Sequence, residues 1–239
     1  MSKVFVLIHS PLVGPLTWAL VSDELQRRGI ETRAPQLFDN EAAGIPYWKQ
    51  HADSVARALT PIPIDRSLIL IGHSGAGPLL PAIRQALNHP IAGYIFADAG
   101  IPVDGASRLD LMASEDPEWA GQFRQTLEAG ERFPNWRNDD LAEVIPEAAL
   151  RQGVVNELRP RGLVFFEERI PVFDGWPDAP CGYLLFSPVY AAPAARARRE
   201  GWAYREMQAG HFHMLVEPAA VANALVDLEV VMNEVHHHG

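Results

Sequence analysis

Cysteine is almost absent from this chain: Cys181 is the single one among 239 residues. One thiol excludes an internal disulfide framework and a multi-cysteine zinc site, and it suits a cytoplasmic location. Positive charge is also scarce. Only 20 Lys and Arg stand against 30 Asp and Glu, a formal net charge of −10, which argues against nucleic acid or an anionic membrane surface as a partner. Long apolar runs are missing too. A spanning helix takes roughly 18 consecutive apolar residues, and the run after Lys3, Val4 to Ile8, is soon interrupted by His9, Pro11, Gly14 and Pro15. It is too short for a secretory signal and reads as a buried strand. There is no internal repeat and no low-complexity linker. What the chain does have is apolar substance: 48% of residues are hydrophobic, enough for a sizeable core in one large domain or a core domain with an insertion. The terminal stretch 236–239 reads as a disordered tail.

Short apolar runs alternate with longer amphipathic ones. Strands are expected at Lys3–Ile8, Ile30–Ala34, Ser67–Ile71, Ile91–Ala97, Gly182–Phe186 and Ala203–Met207. Helices are expected at Leu16–Arg28, Tyr47–Leu59, from Gly75 to about Asn88, and from about Glu217 to Asn233. Continuously apolar strands are buried on both faces. Their alternation with helices implies an α/β fold, a mostly parallel, doubly wound sheet of about six strands with right-handed crossovers. Between Gly105 and Pro171 the alternation stops, and helix-like pieces carry Trp119, Phe123, Phe133, Trp136, Phe165 and Phe166. A stretch that long between two strands is an insertion. The expected division is a core of residues 1–104 and 172–235 and a helical cap of residues 105–171. The cap aromatics are expected to form mostly a small core of their own, with a few lining a cleft for an apolar or aromatic substrate group.

The segment LILIGHSGAG, Leu68 to Gly77, raises the question of chemistry. Gly72 and Gly77 have the spacing of a phosphate loop, but Pro78 and Leu79 stand where Lys and Ser or Thr are required. That leaves neither a charge for phosphate nor a hydroxyl for Mg²⁺. The dinucleotide-binding pattern G-x-G-x-x-G does not occur. Two readings remain: Ser74 caps the next helix, or it is a nucleophile held on a strained turn. Pro81 falls where a helix after such a turn should already be regular.

The second reading resembles the nucleophile elbow of the α/β-hydrolase family, G-x-S-x-G, with Ala76 in place of the last glycine. In that family the serine is followed in the chain by Asp or Glu and then His. MQAGHFHMLVEP is similar to the family's loop after the last strand: Gly-His, a few apolar residues, then Glu-Pro opening the final helix. That register implies His211 as the base, with His213 the competitor. In an extended loop the two rings point opposite ways, so one of them faces Ser74. Many members carry the acid after the strand before the final one, but LLFSPVYAAPAARARREGW contains no Asp, and Tyr190 falls near the expected place. Some members, including certain lipases, carry it one strand earlier, where YIFADAG supplies Asp98. Asp98 is therefore the candidate acid and Glu206 the second choice. Capping of a turn or pairing with an arginine is the alternative role for Asp98.

VLIHSPLVGPLTW is similar to the family's first loop, in which His-Gly precedes an oxyanion donor and a tryptophan. His9 and Trp18 match, Ser10 replaces the glycine, and Pro11 falls where the donating N–H is found but has none. With Gly75 N–H as one donor, the likeness implies a second from the Ser10–Val13 loop. Leu12 N–H is preferred because a backbone donor is fixed, and the Ser10 hydroxyl is the other choice. His9 and His73 are expected to be structural rather than metal ligands, since no ligand spacing or paired carboxylate accompanies them. Glu167 and Glu168 are expected on a solvated face of the cap, and Cys181 in the core.

The likeness covers the chain apart from the insertion, which corresponds to the family's variable cap. It implies a serine hydrolase without cofactor or metal, acting on a small ester, thioester or related acyl compound through Ser74, His211 and Asp98. Two other functions stay open. One is a C–C lyase of the hydroxynitrile-lyase type, since those enzymes also replace the first-loop glycine with a hydroxyl residue. The other is a non-catalytic ligand-binding protein on the same fold. The expected partner is a small-molecule substrate, and pairing into a homodimer is left open.

Overall fold

In chain order the elements are β1 (Val4–Ile8), α1 (Leu16–Arg27), β2 (Thr32–Arg33), α2 (Tyr47–Leu59), β3 (Leu68–Ser74), α3 (Leu80–Gln85) and β4 (Ile91–Ala99). The insertion follows, with α4 (Arg108–Glu115), α5 (Pro117–Glu128), α6 (Ala148–Asn156) and α7 (Leu163–Glu167). The chain then completes the sheet with β5 (Cys181–Leu185), α8 (Ala191–Arg199), β6 (Ala203–Glu206), α9 (His213–Val216) and α10 (Pro218–His236). The computed structural model describes residues 3–236, so the stretch 237–239 of the expected tail lies outside the described residues while His236 closes α10.

Side-chain alternation explains how the sheet is covered. Along β1, Val4, Val6 and Ile8 face one side and Phe5 and Leu7 the other; along β3, Leu68 and Leu70 oppose Ile69 and Ile71. All are buried, so both faces need a helical layer. Val55 and Leu59 of α2, Ile83 of α3 and Ala194 and Ala197 of α8 cover the first face. Trp18, Val21 and Leu25 of α1 and Val221, Leu225 and Leu228 of α10 cover the second, at spacings of three and four that place them on one helical stripe.

The six strands are all parallel, in the order β2-β1-β3-β4-β5-β6. From β1 the chain winds outward to β2, then returns past β1 to β3 and continues outward the other way. That reversal makes a topological switch point at the carboxyl ends of β1 and β3, where open α/β sheets place their ligand-binding crevice. The Ser10 loop and Ser74 meet there.

Some elements differ from expectation for identifiable reasons. β2 is reduced to Thr32 and Arg33, paired with Phe5 and Val6, because Pro35 follows almost at once and cannot donate to a ladder. Pro81 does not interrupt a regular helix. A short 3₁₀ turn, Gly77–Leu79, intervenes, α3 starts at Leu80, and Pro81 occupies its first turn, where no N–H donor is needed. In the insertion Phe165, Phe166, Leu109 and Leu127 form a cluster of their own, yet it also takes in Tyr47 from α2. Glu168 is not on a solvated face. Its carboxylate accepts the Tyr47 and Trp48 backbone N–H groups, the latter at 2.9 Å, and so closes the amino end of a core helix whose preceding residue, Pro46, offers no side-chain acceptor. Glu167 is at the surface, paired with Arg124. Among the described residues no helix is long and apolar enough to cross a membrane.

Candidate active site

β3 delivers Ser74 to the crevice in a backbone conformation that side chains avoid, with φ 57°. The neighbouring strand carries a matching distortion. The β3–β4 ladder pairs His73 with Ala97 but Ser74 with Ala99, so Asp98 is bulged out of register, with φ 46°. Among the described residues these are the two non-glycine positions in the left-handed region. The turn after Ser74 is tight because Gly77 abuts the end of β4: a Cβ there would lie 2.2 Å from the Gly100 carbonyl oxygen. The close approach therefore falls one position beyond Ala76, which fits as a buried methyl.

The bulge aims the Asp98 carboxylate at the loop after β5, wholly out of solvent. Its Oδ1 accepts the backbone N–H groups of Phe186 and Ser187, each at 2.9 Å. Its Oδ2 accepts the Ser187 hydroxyl at 2.6 Å and His211 Nδ1–H at 2.7 Å. With Nδ1 so engaged, Nε2 of His211 is the nitrogen left for a proton acceptor's role. The imidazole is flanked by two rings, His73 at 4.4 Å and 31° and Tyr190 at 5.2 Å and 15° between planes. Burial holds His73 well below the usual histidine pKa, so it is neutral, and its Nε2–H donates to the His211 carbonyl at 3.0 Å. Tyr190, closing the turn Pro188–Tyr190 after β5, places its Oη 2.9 Å from Ser74 Oγ. Ser74 and His211 thus meet at Tyr190, which hydrogen-bonds one and stacks on the other.

On the opposite side of Ser74 stands the loop after β1. A Cβ on Gly75 would lie 3.3 Å from Ser10 Oγ and 3.6 Å from the Pro11 ring, so the loop rests directly on that glycine. Leu12 N–H points at Ser10 Oγ, 3.4 Å away. The Ser10 carbonyl accepts Val13 N–H at 3.1 Å and His9 Nδ1–H at 2.8 Å. His9 Nε2 in turn accepts Leu37 N–H at 3.1 Å, and burial lowers its pKa to about 4, so His9 serves as a neutral strut for the loop.

The residues singled out in the sequence fall into two groups. Ser74, Asp98, His211, Gly75, Ser10 and Leu12 converge on the crevice. His213 does not: it opens α9 with its ring 6.0 Å from Phe186. Glu206 is exposed and accepts the Tyr204 hydroxyl at 2.9 Å. Cys181 is buried at the start of β5. Two contributors have no motif to announce them, Ser187 and Tyr190. Tyr190 had one signal, its place after β5 where the family usually carries its acid. Among the described residues no group of three or more His, Cys, Asp or Glu side chains could hold a metal ion.

The sequence profile described as the alpha/beta hydrolase family matches residues 5–224. Methylesterase 1 of Arabidopsis thaliana is 27% identical over 128 residues, a stretch making up 49% of this chain and 49% of that protein, so the match spans about half the length of this curated relative. Among solved structures, an extracellular alpha/beta-hydrolase from a Paenibacillus species, described as sharing structural and functional homology with tobacco salicylic acid binding protein 2, has a TM-score of 0.76 at 20% identity, covering 95% of this chain and 98% of that one. A pyrethroid hydrolase from Sphingobium faniae has a TM-score of 0.72 at 19% identity, covering 98% of this chain and 100% of the other. At such identities the likeness shows a common fold.

Proposed function

Because the chain belongs to the alpha/beta hydrolase family, we propose that it is a serine hydrolase cleaving a small carboxylic ester or related acyl compound, with Ser74 as nucleophile, His211 as base and Asp98 as the orienting acid. The observation that carries this reading is the fully buried Asp98 carboxylate on His211 Nδ1, beside a serine strained onto the end of β3. The partial match to a protein named a methylesterase supports a small alkyl ester as the substrate class. The lone buried Cys181 suits the cytoplasm, where we place the protein.

In this mechanism Ser74 Oγ attacks the acyl carbon and its proton passes to His211 Nε2. Asp98 stabilises the imidazolium without taking the proton. The Gly75 N–H and a group on the Ser10 loop receive the oxyanion. We assign the second role to the Ser10 hydroxyl: Leu12 N–H donates to its oxygen, which leaves the hydroxyl proton free to point at the developing charge. His211 then protonates the departing alcohol, and water repeats the sequence on the acyl-enzyme.

The test is turnover of aryl acetates together with labelling by a serine-directed phosphonate. Labelling at Ser74 with steady hydrolysis is expected; an unreactive Ser74 would leave a ligand-binding protein as the reading. The nearness of Ser10 Oγ to the nucleophile turn also favours a second chemistry, cleavage of a cyanohydrin. Cyanide release without ester turnover would select that lyase.

A further inference from the structure

The turn after β5 holds a hydroxyl for which the Ser-His-Asp assignment has no use. Tyr190 Oη lies 2.9 Å from Ser74 Oγ, the atom that would attack, and its ring lies nearly parallel to the imidazole of His211. Either hydroxyl of this pair can donate; the phenol is intrinsically the stronger acid, which favours Tyr190 as the donor. That leaves the Ser74 proton uncommitted, as the esterase reading requires. Burial pushes the Tyr190 phenol far above its ordinary value, so the hydroxyl stays protonated at any working pH.

The direction of approach decides what this donor can reach. Ser10 and Gly75 lie toward β1, on one side of β3, whereas Tyr190 comes from beyond β4 on the other side, next to His211. When Ser74 Oγ bonds to an ester carbon, the oxyanion turns toward the Gly75 N–H and the alkoxy oxygen toward His211, which must protonate it. Oxygens on one tetrahedral carbon are closer together than a hydrogen-bond length. A hydroxyl at bonding distance from Oγ on the His211 side is therefore within reach of the alkoxy oxygen as well.

We propose that Tyr190 is a catalytic residue that donates a hydrogen bond to the alkoxy oxygen of the leaving group while the ester bond breaks. The inference rests on the serine esterase reading. The step balances as follows. The carbonyl re-forms from the oxyanion lone pair, and the carbon–alkoxy bond breaks with its electrons moving to the alkoxy oxygen. That oxygen takes the proton from His211 Nε2–H, and Tyr190 keeps its own proton throughout.

The experiment compares two esters of acetic acid in wild type and Tyr190→Phe, which removes the hydroxyl and retains the ring over His211. Ethyl acetate expels a strongly basic alkoxide that needs donors; p-nitrophenyl acetate expels a stable phenolate that does not. Since kcat/KM reports acylation, the shared acetyl-enzyme does not enter the comparison. We expect Tyr190→Phe to lower kcat/KM for ethyl acetate about 10- to 100-fold, the scale of a lost hydrogen bond to a charged group, and for p-nitrophenyl acetate less than about threefold. Equal losses on both esters, accompanied by slower phosphonate labelling of Ser74, would mean that Tyr190 only positions the nucleophile and would overturn the proposal. Unchanged rates on both would overturn it too. Wild-type protein inert toward both esters would remove the esterase reading itself and the proposal with it, a failure seen without any variant.

Discussion

On the side of Ser74 toward β4–β6, the carboxylate of Asp98 is held by two backbone N–H groups and one hydroxyl besides the histidine, wholly out of solvent. On the β1 side, the group assigned to the oxyanion is the Ser10 hydroxyl, held by a single 3.4 Å contact from Leu12, next to a proline that cannot donate. The two sides differ in when their charge exists. The Asp98 carboxylate is part of the resting fold, and burying a carboxylate without fixed donors would cost several kcal/mol. The oxyanion exists only during turnover, so the β1 loop folds at no such cost, and its donors are the place where substrate preference can be adjusted.

The largest test of this contrast lies at its centre. Ser74→Ala is expected to reduce kcat by about 10⁵-fold or more with the circular dichroism spectrum unchanged, His211→Ala by a similar factor, and the double variant no further. His213→Ala should stay near wild type; a large loss there would shift the base by two residues. Next comes the rigid side. Asp98→Asn should cost about 10³–10⁴-fold in kcat, because the amide favours the wrong imidazole tautomer. The adaptable side should show less. Ser10→Gly is expected to lower kcat about 10²–10³-fold with KM little changed, whereas near-neutral behaviour would hand the role to Leu12 N–H. If Pro11→Ala, which restores a backbone donor, raises esterase activity, the natural loop is not tuned to ester hydrolysis and the lyase gains.

Acid exposes the β1 side in another way. His9 is lowered from an ordinary 6.5 to about 4, and His51 and His73 are lowered too, chiefly by burial. Between those values the unfolded chain binds protons that the folded one refuses, so stability is complete above pH 6.5 and falls as pH drops toward 4. For His9 the loss is about 3 kcal/mol. Urea unfolding at pH 7 and pH 4 should show it, and His9→Asn should narrow the difference between the two midpoints. The smallest effect is expected from Ser187→Ala. Asp98 keeps its backbone donors, so a kcat loss of about tenfold follows from one missing hydrogen bond to a charged group. A loss as large as that of Asp98→Asn would mean the hydroxyl, not the backbone, holds the acid.

Much of this arrangement is legible in the sequence, for physical reasons that differ from residue to residue. Strand runs such as Val4–Ile8 and Leu68–Ile71 are apolar at every position because both faces are covered, and that pattern needs no structure to see. Ser74 stands out because a strained turn requires small residues two positions to either side, here Gly72 and Ala76. His211 and Asp98 are legible through their order in the chain and their places at strand ends. The slip in the β3–β4 ladder that aims Asp98 is not, since one extra residue in a strand end leaves no mark on composition. Nor are Ser187 and Tyr190, which act through where a short turn happens to lie. The capping role of Glu168 is not legible either, because its partners, the Tyr47 and Trp48 amides, lie some 120 residues earlier.

That last contact bears on engineering. Insertions of this kind invite transplantation, with one cap exchanged for another to change the substrate. Here the amino end of α2 borrows its terminating anion from the segment that would be removed, and the same carboxylate lies 3.8 Å from the buried Arg108 guanidinium stacked over Phe165. A graft lacking an acid at this place would leave the first amides of α2 without a partner and weaken the helix that covers β1 and β3. A chimaera should therefore resume the native chain no later than Glu168, so that this carboxylate stays with α2.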